Sequence, residues 1–358
     1  MKYSIIVPVY NRPDECDELL SSLCQQTYGE PFEVIIVEDG SSVPCHDVVS
    51  RYEGRLDVHY YNKPNSGPGQ TRNYGVERAT GEYVLILDSD VVLPPGYLVA
   101  VDQELAALTH DERQRLASFG GPDKAHPSFT PVQKAINYGM TSFFTTGGIR
   151  GGKAKLDKFF PRSFNMGVRR DTYLQLGGFS KMRFGEDVDF SYRIVEAGYG
   201  SRLFPSAWVY HKRRTDLRKF FKQVHNSGIA RINLTKRHPG TLKLVHLLPA
   251  VFTIGVALCL LCLLFWLLTL CCTPLHEATG CLGNILGIFG GGCLLAYALL
   301  IMCGATLQER SLRVGLLAIA AAYVQLCGYG TGFLRCWWLR CVRGRNEELQ
   351  AFRDNFYK

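Results

Sequence analysis

Apolar positions along the chain fall into two regimes. In the first 210 residues they come in short bursts: residues 4–9, 32–37, 58–61 and 83–87 read as strands, and the nearly unbroken apolar runs at 4–9, 32–37 and 83–87 are those of strands buried on both faces. Between them, residues 14–26 and 69–79 carry helical spacing, so strand and helix alternate as in an α/β fold on a parallel sheet. Beyond them the pattern changes. Residues 244–270, 281–307 and 314–334 are three uncharged stretches, each long enough for the roughly 20 residues that cross about 30 Å of hydrocarbon. The chain therefore divides into an α/β domain (1–210), a basic amphipathic segment (211–243), a transmembrane region of three hydrophobic segments (244–334) and a basic tail (335–358).

Of 358 residues, 47% are hydrophobic and 20% charged, which excludes wholesale disorder, and the net charge is +8. The position of that charge decides its meaning. Residues 212–243 hold ten Lys and Arg against one acid, Asp216, directly before the first apolar stretch. Alternation of Leu217, Phe220, Phe221, Val224, Ile229 and Ile232 with cations suits helix lying on a cytoplasmic membrane surface, where anionic lipid accounts for the charge; no nucleic-acid module is visible. The loop 271–280 lacks Lys and Arg and is expected outside, whereas Arg310 and Arg313 are expected inside. A third crossing would carry Arg335, Arg340, Arg343 and Arg345 outside, against the same rule; either the rule fails, or Gly328, Gly330 and Gly332 let the third segment turn back.

Ten of the 13 cysteines lie in or beside the apolar stretches, and Cys16, Cys24 and Cys45 form no CxxC pair, so neither a disulfide framework nor structural zinc is expected and a reducing compartment fits. The first residues, KYSIIVPVY, read as a strand rather than the apolar core of a secretory signal, which places the first domain in the cytoplasm.

Parallel sheets bind ligands at the carboxyl ends of their strands, here occupied by Tyr10, Asp39 and the turn Asp88-Ser89-Asp90. Two aspartates one residue apart offer hard oxygen ligands for Mg2+ or Mn2+ on a diphosphate, although alone such a pair is as well explained as a solvated turn. Neither GxGxxG nor a P-loop lysine signature is present. The pair gains weight from its company: Pro8-Val-Tyr-Asn11, Glu38-Asp-Gly-Ser-Ser42, Gly67-Pro-Gly-Gln-Thr-Arg-Asn-Tyr-Gly75, Asp88-Ser-Asp90 and Gly185-Glu-Asp-Val-Asp-Phe190, in that order.

Together these five motifs, over residues 3–235, resemble an inverting family 2 glycosyltransferase of the GT-A fold, and FNMGVRRDTYLQLGGF with the closing YGTGFL resembles the membrane-anchored bacterial exopolysaccharide type. The resemblance implies a GT-A, Rossmann-like domain followed by transmembrane helices. It implies that Pro8 and Tyr10 border the nucleobase, that Asp39 accepts from uracil N3–H, and that Asn65 and Arg72 contact the nucleotide or its phosphates; a turn residue and a surface cation are their plainer readings. Asp90 is implied as the metal ligand, Asp88 as a ribose or metal contact, and Asp187 as the base that takes the acceptor hydroxyl proton, with Asp189 a weaker candidate. Glu186 and Asp187 alone would pass for first-turn helix residues. His211 stands where some relatives place a third metal ligand or phosphate contact, though a structural histidine is common at a strand end. The Gln-x-x-Arg-Trp motif of processive synthases is missing around Gln223.

The expectation is a divalent-metal-dependent transferase of a bacterial cytoplasmic membrane, moving a sugar from a UDP-sugar to a polyprenyl-linked or envelope glycan acceptor. Its competitors are a transferase that glycosylates polyprenyl phosphate itself and a non-catalytic nucleotide-sugar-binding scaffold. Residues 103–160 are expected to shape the acceptor side, with KAHPSF and TTGGIRGGKAKLDKFF as mobile loops.

Overall fold

A computed structural model describes residues 1–146, 159–271 and 273–347. Among these, residues 1–127 with 159–212 form one compact unit, and residues 128–146 with 213–347 a second.

The first unit opens as β1 (Tyr3–Val9), α1 (Pro13–Cys24), β2 (Phe32–Asp39), α2 (His46–Ser50), β3 (Asp57–Lys63), α3 (Pro68–Val76) and β4 (Tyr83–Leu87), the alternation expected from the apolar pattern. Then follow β5 (Val91–Val92), α4 (Tyr97–Ala106), α5 (His110–Arg115), β6 (Leu116–Gly120) and β7 (Asp123–Lys124). The unit resumes with β8 (Asn165–Arg169), α8 (Arg170–Gln175), α9 (Glu186–Glu196), β9 (Gly200–Leu203) and β10 (Val209–His211).

Seven strands form one sheet in the order β3-β2-β1-β4-β8-β6-β9. Ile5, Val7, Val34, Ile36, Leu85 and Leu87 point to one face, against α1 and α4; Ile6, Ile35, Val37, Val84 and Ile86 point to the other, with Val76, Phe179 and Phe190. Burial on both faces is why these strands carry nearly continuous apolar runs. The sheet is not wholly parallel, as the alternation had suggested: β8 runs antiparallel to both β4 and β6. A second sheet, β5-β10-β7, sets β10 beside the strand that follows Asp90. KAHPSF, expected to be mobile, is tied down instead: Lys124 lies over the Trp208 ring, His126 packs edge-on against Tyr210, and Phe129 is buried. Residues 147–158 of the second expected loop lie outside the described residues.

The second unit contains α6 (Pro131–Thr141), α7 (Phe143–Thr146), α10 (Leu217–Arg237), α11 (Leu248–Cys271), α12 (Thr273–Glu309) and α13 (Leu312–Trp337). Residues 131–146, read from the sequence within the first domain, belong here: Ala135, Ile136, Tyr138 and Met140 of α6 share a core with Phe220, Val224, Ile301, Ala305, Ala318 and Ala321. Among the described residues, three helices are long and apolar enough to cross a membrane: Leu244–Cys271, Thr279–Glu309 and Leu312–Val342. They are not alike. Helices α11 and α12 pair antiparallel, with Gly283, Gly287 and Gly290 against Thr269, Trp266 and Cys259, and they expose Leu260, Leu264, Leu267, Ile285 and Ile288.

Helix α13 runs uninterrupted through Gly328, Gly330 and Gly332, so these glycines do not turn the chain back. They bring backbones together: a Cβ at Gly330 would collide with Pro249 and Thr253, and one at Gly332 with His225. Along α13, Thr331 meets His225, Cys336 meets Asn233, and the Arg340 carbonyl accepts from Lys236, so α10 follows α13 in the same direction. On α11, Phe252 meets Tyr323 and Thr253 meets Leu326 of α13.

Candidate functional site

At the carboxyl end of β1, Pro8 and Tyr10 are half-buried. Asn11 follows with φ +53°, a left-handed conformation that Asn tolerates, and its Oδ1 accepts from Val43 N (2.9 Å) and Ser42 Oγ (3.1 Å). Asn11 thereby latches the β1 loop to the loop after β2. Glu38, fully buried, organises that second loop by accepting from Ser41 Oγ, Cys45 N (2.8 Å) and Tyr60 OH (3.3 Å). Asp39 is also fully buried. Its oxygens accept from Ser66 N and Gly67 N, both at 2.9 Å, and from Lys63 Nζ, while Asn65 Nδ2 donates to its carbonyl at 2.9 Å. The loop after β3 is thus built around the carboxylate implied as the uracil contact.

Arg72, on α3, is 3% exposed rather than a surface cation. Its Nη2 reaches Asp88 Oδ1 (2.6 Å) and its Nη1 reaches Glu186 Oε1 (3.0 Å), joining the end of β4 to the start of α9. Burial works against its charge, but the Asp88 and Glu186 carboxylates outweigh burial and hold the guanidinium firmly protonated. Glu186 is pushed up to about 7, mainly by burial, with Arg72 opposing and Asp187 adding to the rise.

Asp187 sits in the first turn of α9, 5% exposed. Gly185 before it has φ +85°, a conformation that a side chain would strain, and that turn presents the Glu186-Asp187 pair. Asp187 Oδ2 accepts from Arg162 Nε (2.7 Å) and Ser163 N (3.3 Å). Asp189 pairs within its own helix with Arg193 at 3.2 Å.

Strand pairing explains His211. In β10 it stands opposite Val91 of β5, and Lys212 N donates to the Asp90 carbonyl at 3.1 Å. The imidazole stacks on Phe164 with ring centres 4.6 Å apart, its Nε2 is 3.3 Å from Asp90 Oδ1, and its Nδ1 is 3.9 Å from Asp123 Oδ2. One ligand atom each from Asp88, Asp90 and His211 lies within 4.8 Å of the others. Two carboxylates and an imidazole, with His211 Nδ1 buried and making no hydrogen bond, form a donor set suited to Mn2+ or Mg2+. The expected metal residues therefore converge, Arg72 ties them to the Glu186-Asp187 turn, and Asp39 and Asn65 lie in the neighbouring loop. Sequence reasoning missed Arg162, Asp123 and the bridging role of Glu186, none of which stands in a motif that points to its partner.

Two family models match: "Glycosyl transferase family 2" over residues 4–113 and "Glycosyl transferase family group 2" over residues 83–307. The pre-mycofactocin glycosyltransferase of Mycobacterium tuberculosis is 27% identical over 245 residues, 66% of this chain and 48% of that protein. The poly(ribitol-phosphate) beta-N-acetylglucosaminyltransferase TarS of Staphylococcus aureus is 40% identical over 93 residues, 25% of this chain and 16% of that protein. The chain spans about half the length, or less, of these curated relatives. Among solved structures, the mannosyltransferase PcManGT of Pyrobaculum calidifontis, in complex with GDP-Man and Mn2+, superposes with a TM-score of 0.54 at 16% identity, covering 95% of this chain and 88% of that one, and shares the fold. With the matched family models running from β1 into the C-terminal helices and the metal-type carboxylates at the strand ends, the chain belongs to the family 2 glycosyltransferases.

Proposed function

We propose that the protein is an inverting, metal-dependent glycosyltransferase that moves a sugar from a UDP-sugar to a polyprenyl-linked or related envelope glycan at the cytoplasmic membrane. The observation that carries this reading is the convergence of Asp88, Asp90 and His211, joined through Arg72 to the turn bearing Asp187. The names of relatives support a nucleotide-sugar donor: PcManGT is described with GDP-Man, and TarS is a named N-acetylglucosaminyltransferase.

Asp88, Asp90 and His211 would hold a divalent cation, whose charge when bound neutralises a diphosphate leaving group. Arg72 keeps Asp88 in place and remains cationic beside it. Asp187, the proposed base, takes the proton of the acceptor hydroxyl as that oxygen attacks the anomeric carbon from the face opposite the leaving group, which inverts the configuration. Arg162 and Ser163 N fix the carboxylate that performs this step.

The membrane part of the reading rests on the second unit. Helices α11 and α12, with leucines and isoleucines facing outward along an antiparallel pair, form the two crossings. Helix α13 is covered by α6, α10 and the ends of the other two, and between Leu317 and Phe333 it exposes no large apolar side chain. It lies at the cytoplasmic end of the pair and does not cross, which keeps Arg335, Arg340, Arg343 and Arg345 inside. Arg218, Lys219 and Lys222, exposed on α10, are placed to meet anionic lipid.

The test is nucleoside diphosphate release by the purified full chain, with UDP-, GDP- and dTDP-sugars, with and without Mn2+ and a polyprenyl-linked acceptor. Metal-dependent release from one donor, lost in Asp90→Asn and Asp187→Asn, is expected. Release unchanged in both variants would overturn the assignment.

A further inference from the structure

Among the described residues, the end of α13 holds a buried cation with no counter-charge. After Trp337 the chain makes a single π-helical turn, Trp338–Val342, that carries Arg340, only 8% exposed. Its guanidinium donates to Asn233 Oδ1 and, at 2.8 Å, to the Asn346 carbonyl, while its Nε has no hydrogen-bond partner. Asn233, 1% exposed, likewise leaves its Nδ2 unpartnered. Lys236 brings a second cation to the same place, its Nζ donating to the Arg340 carbonyl at 2.6 Å. The described partners of the Arg340 guanidinium and of Lys236 Nζ are the neutral oxygens of Asn233, Asn346 and Arg340 itself.

Arginine stays charged at any ordinary pH, and burying a charge among neutral oxygens is costly unless an anion accompanies it. A guanidinium with a free N–H edge, a buried amide donor and an adjacent ammonium together match a phosphodiester, which takes paired N–H donors and a nearby point charge. The surroundings say where that phosphate comes from. Trp337 and Trp338, 44% and 50% exposed, have the amphipathic character of residues at a lipid–water boundary, and exposed Arg335 and Arg343 flank them. The same level of α13 packs on the start of α11, the first proposed crossing, through Gly330 and Pro249.

We infer that Arg340, Lys236 and Asn233 form a binding site for the phosphate of an anionic phospholipid headgroup, clamping the junction of α10 and α13 to the bilayer surface. The inference rests on the membrane placement proposed above but on no catalytic step, and it is read without turnover, so loss of transferase activity and loss of this site are distinguishable.

The experiment uses the full chain in neutral detergent, with Trp208 and Trp266 replaced by Phe so that Trp337 and Trp338 report. Phosphatidylglycerol brominated in its acyl chains is titrated against equally brominated phosphatidylcholine, and tryptophan quenching is followed. Quenching at a lower mole fraction of phosphatidylglycerol is expected. Arg340→Gln should abolish that preference, and Lys236→Met, at an exposed position, should reduce it about fivefold. Equal quenching by the two lipids, or a preference left unchanged both in Lys236→Met and in an Arg340→Gln protein that elutes like the parent, would overturn the site. Inorganic phosphate should not displace the lipid; displacement would make the occupant a soluble anion and defeat the lipid assignment.

Discussion

Arg162 Nε stands 2.7 Å from Asp187 Oδ2, joining the segment that enters β8 to the first turn of α9. The carboxylate proposed to collect a proton is thereby held by a guanidinium, which is already protonated and cannot compete for that proton. The pair orients Asp187 and, through the Asp187 charge acting on it, keeps Arg162 protonated. If Asp187 is the base, Asp187→Asn should lower kcat by about 10²–10⁴-fold with little change in nucleotide binding. Arg162→Met should lower kcat with a smaller effect on KM for the donor, and Arg162→Lys should recover part of the loss. Full activity in Asp187→Asn would remove the base; a loss in Arg162→Met confined to donor KM would remove its positioning role.

The His211 environment makes a separate prediction about metal. His211 lies between Asp90 and Asp123, and a metal-bound imidazole is usually oriented by a carboxylate on its other nitrogen. His211→Ala should weaken Mn2+ binding at least about tenfold, and Asp123→Asn should weaken it by about tenfold while leaving the ligand set intact. Mn2+ titration followed by electron paramagnetic resonance reads both without a substrate. Unaltered binding in His211→Ala would show that the carboxylates alone hold the ion.

Glu186 predicts a pH effect on stability. Its folded-state pKa, pushed up to about 7, lies above the ordinary carboxylate value, so the folded protein binds this proton more tightly than the unfolded chain does. Its contribution is then complete below the unfolded-state pKa, about 4.3, and is lost as pH rises through about 7. The difference in Tm between the parent and Glu186→Gln should therefore change across that window, the variant gaining relative to the parent as pH rises. Two Tm curves that stay parallel would contradict the raised pKa. The comparison cancels titrations of opposite sign, such as that of His225, whose pKa burial lowers.

Which parts of this architecture were legible in the sequence follows from the range of the interactions that fix them. Strands β1, β2 and β4 declare themselves because burial on both faces demands consecutive apolar residues. Asp39, Asp88 and Asp90 are legible because each directly follows or ends such a strand. His211 was only a candidate, because its partner is set by β10 lying against β5, a pairing across more than a hundred residues that no local pattern encodes. Arg162 is an ordinary cation in sequence and joins the site only through Asp187, whereas Arg72 was a candidate from its motif and its bridge between Asp88 and Glu186 forms only when α9 meets the end of β4. Helix α13 posed another problem: hydropathy cannot tell burial in protein from burial in lipid. Its composition did hold a clue, since Gly315, Ala318, Ala321, Ala322, Gly328 and Gly332 are small residues that allow close helix packing, whereas α11 is rich in leucine that suits lipid.

That contrast leads to a topological prediction. Pro249 touches Gly330 and Thr253 touches Leu326, so as α11 advances, its contacts on α13 step backward. At the next level Phe252 meets both Tyr297 of α12 and Tyr323 of α13, and beyond it the partners of α11 are on α12, at Gly290, Gly287 and Gly283. A third crossing beside α11 and α12 would keep α13 in register with them to the far end; instead, after Tyr323 its contacts on α11 return to the start of that helix, at Leu326 and Gly330, and it continues along α10. Both ends of the α11–α13 region therefore belong on one side of the membrane. Cysteine labelling in sealed inverted vesicles checks this: single cysteines placed at Lys243 and Arg343, in a background without the native cysteines, should both react with a membrane-impermeant maleimide, while one placed at Glu277, near the start of α12, should not. Protection at Arg343 with reaction at Lys243 would restore three crossings and place the tail outside. Since the Arg340 carbonyl accepts from Lys236, such a result would also require that contact to break on insertion.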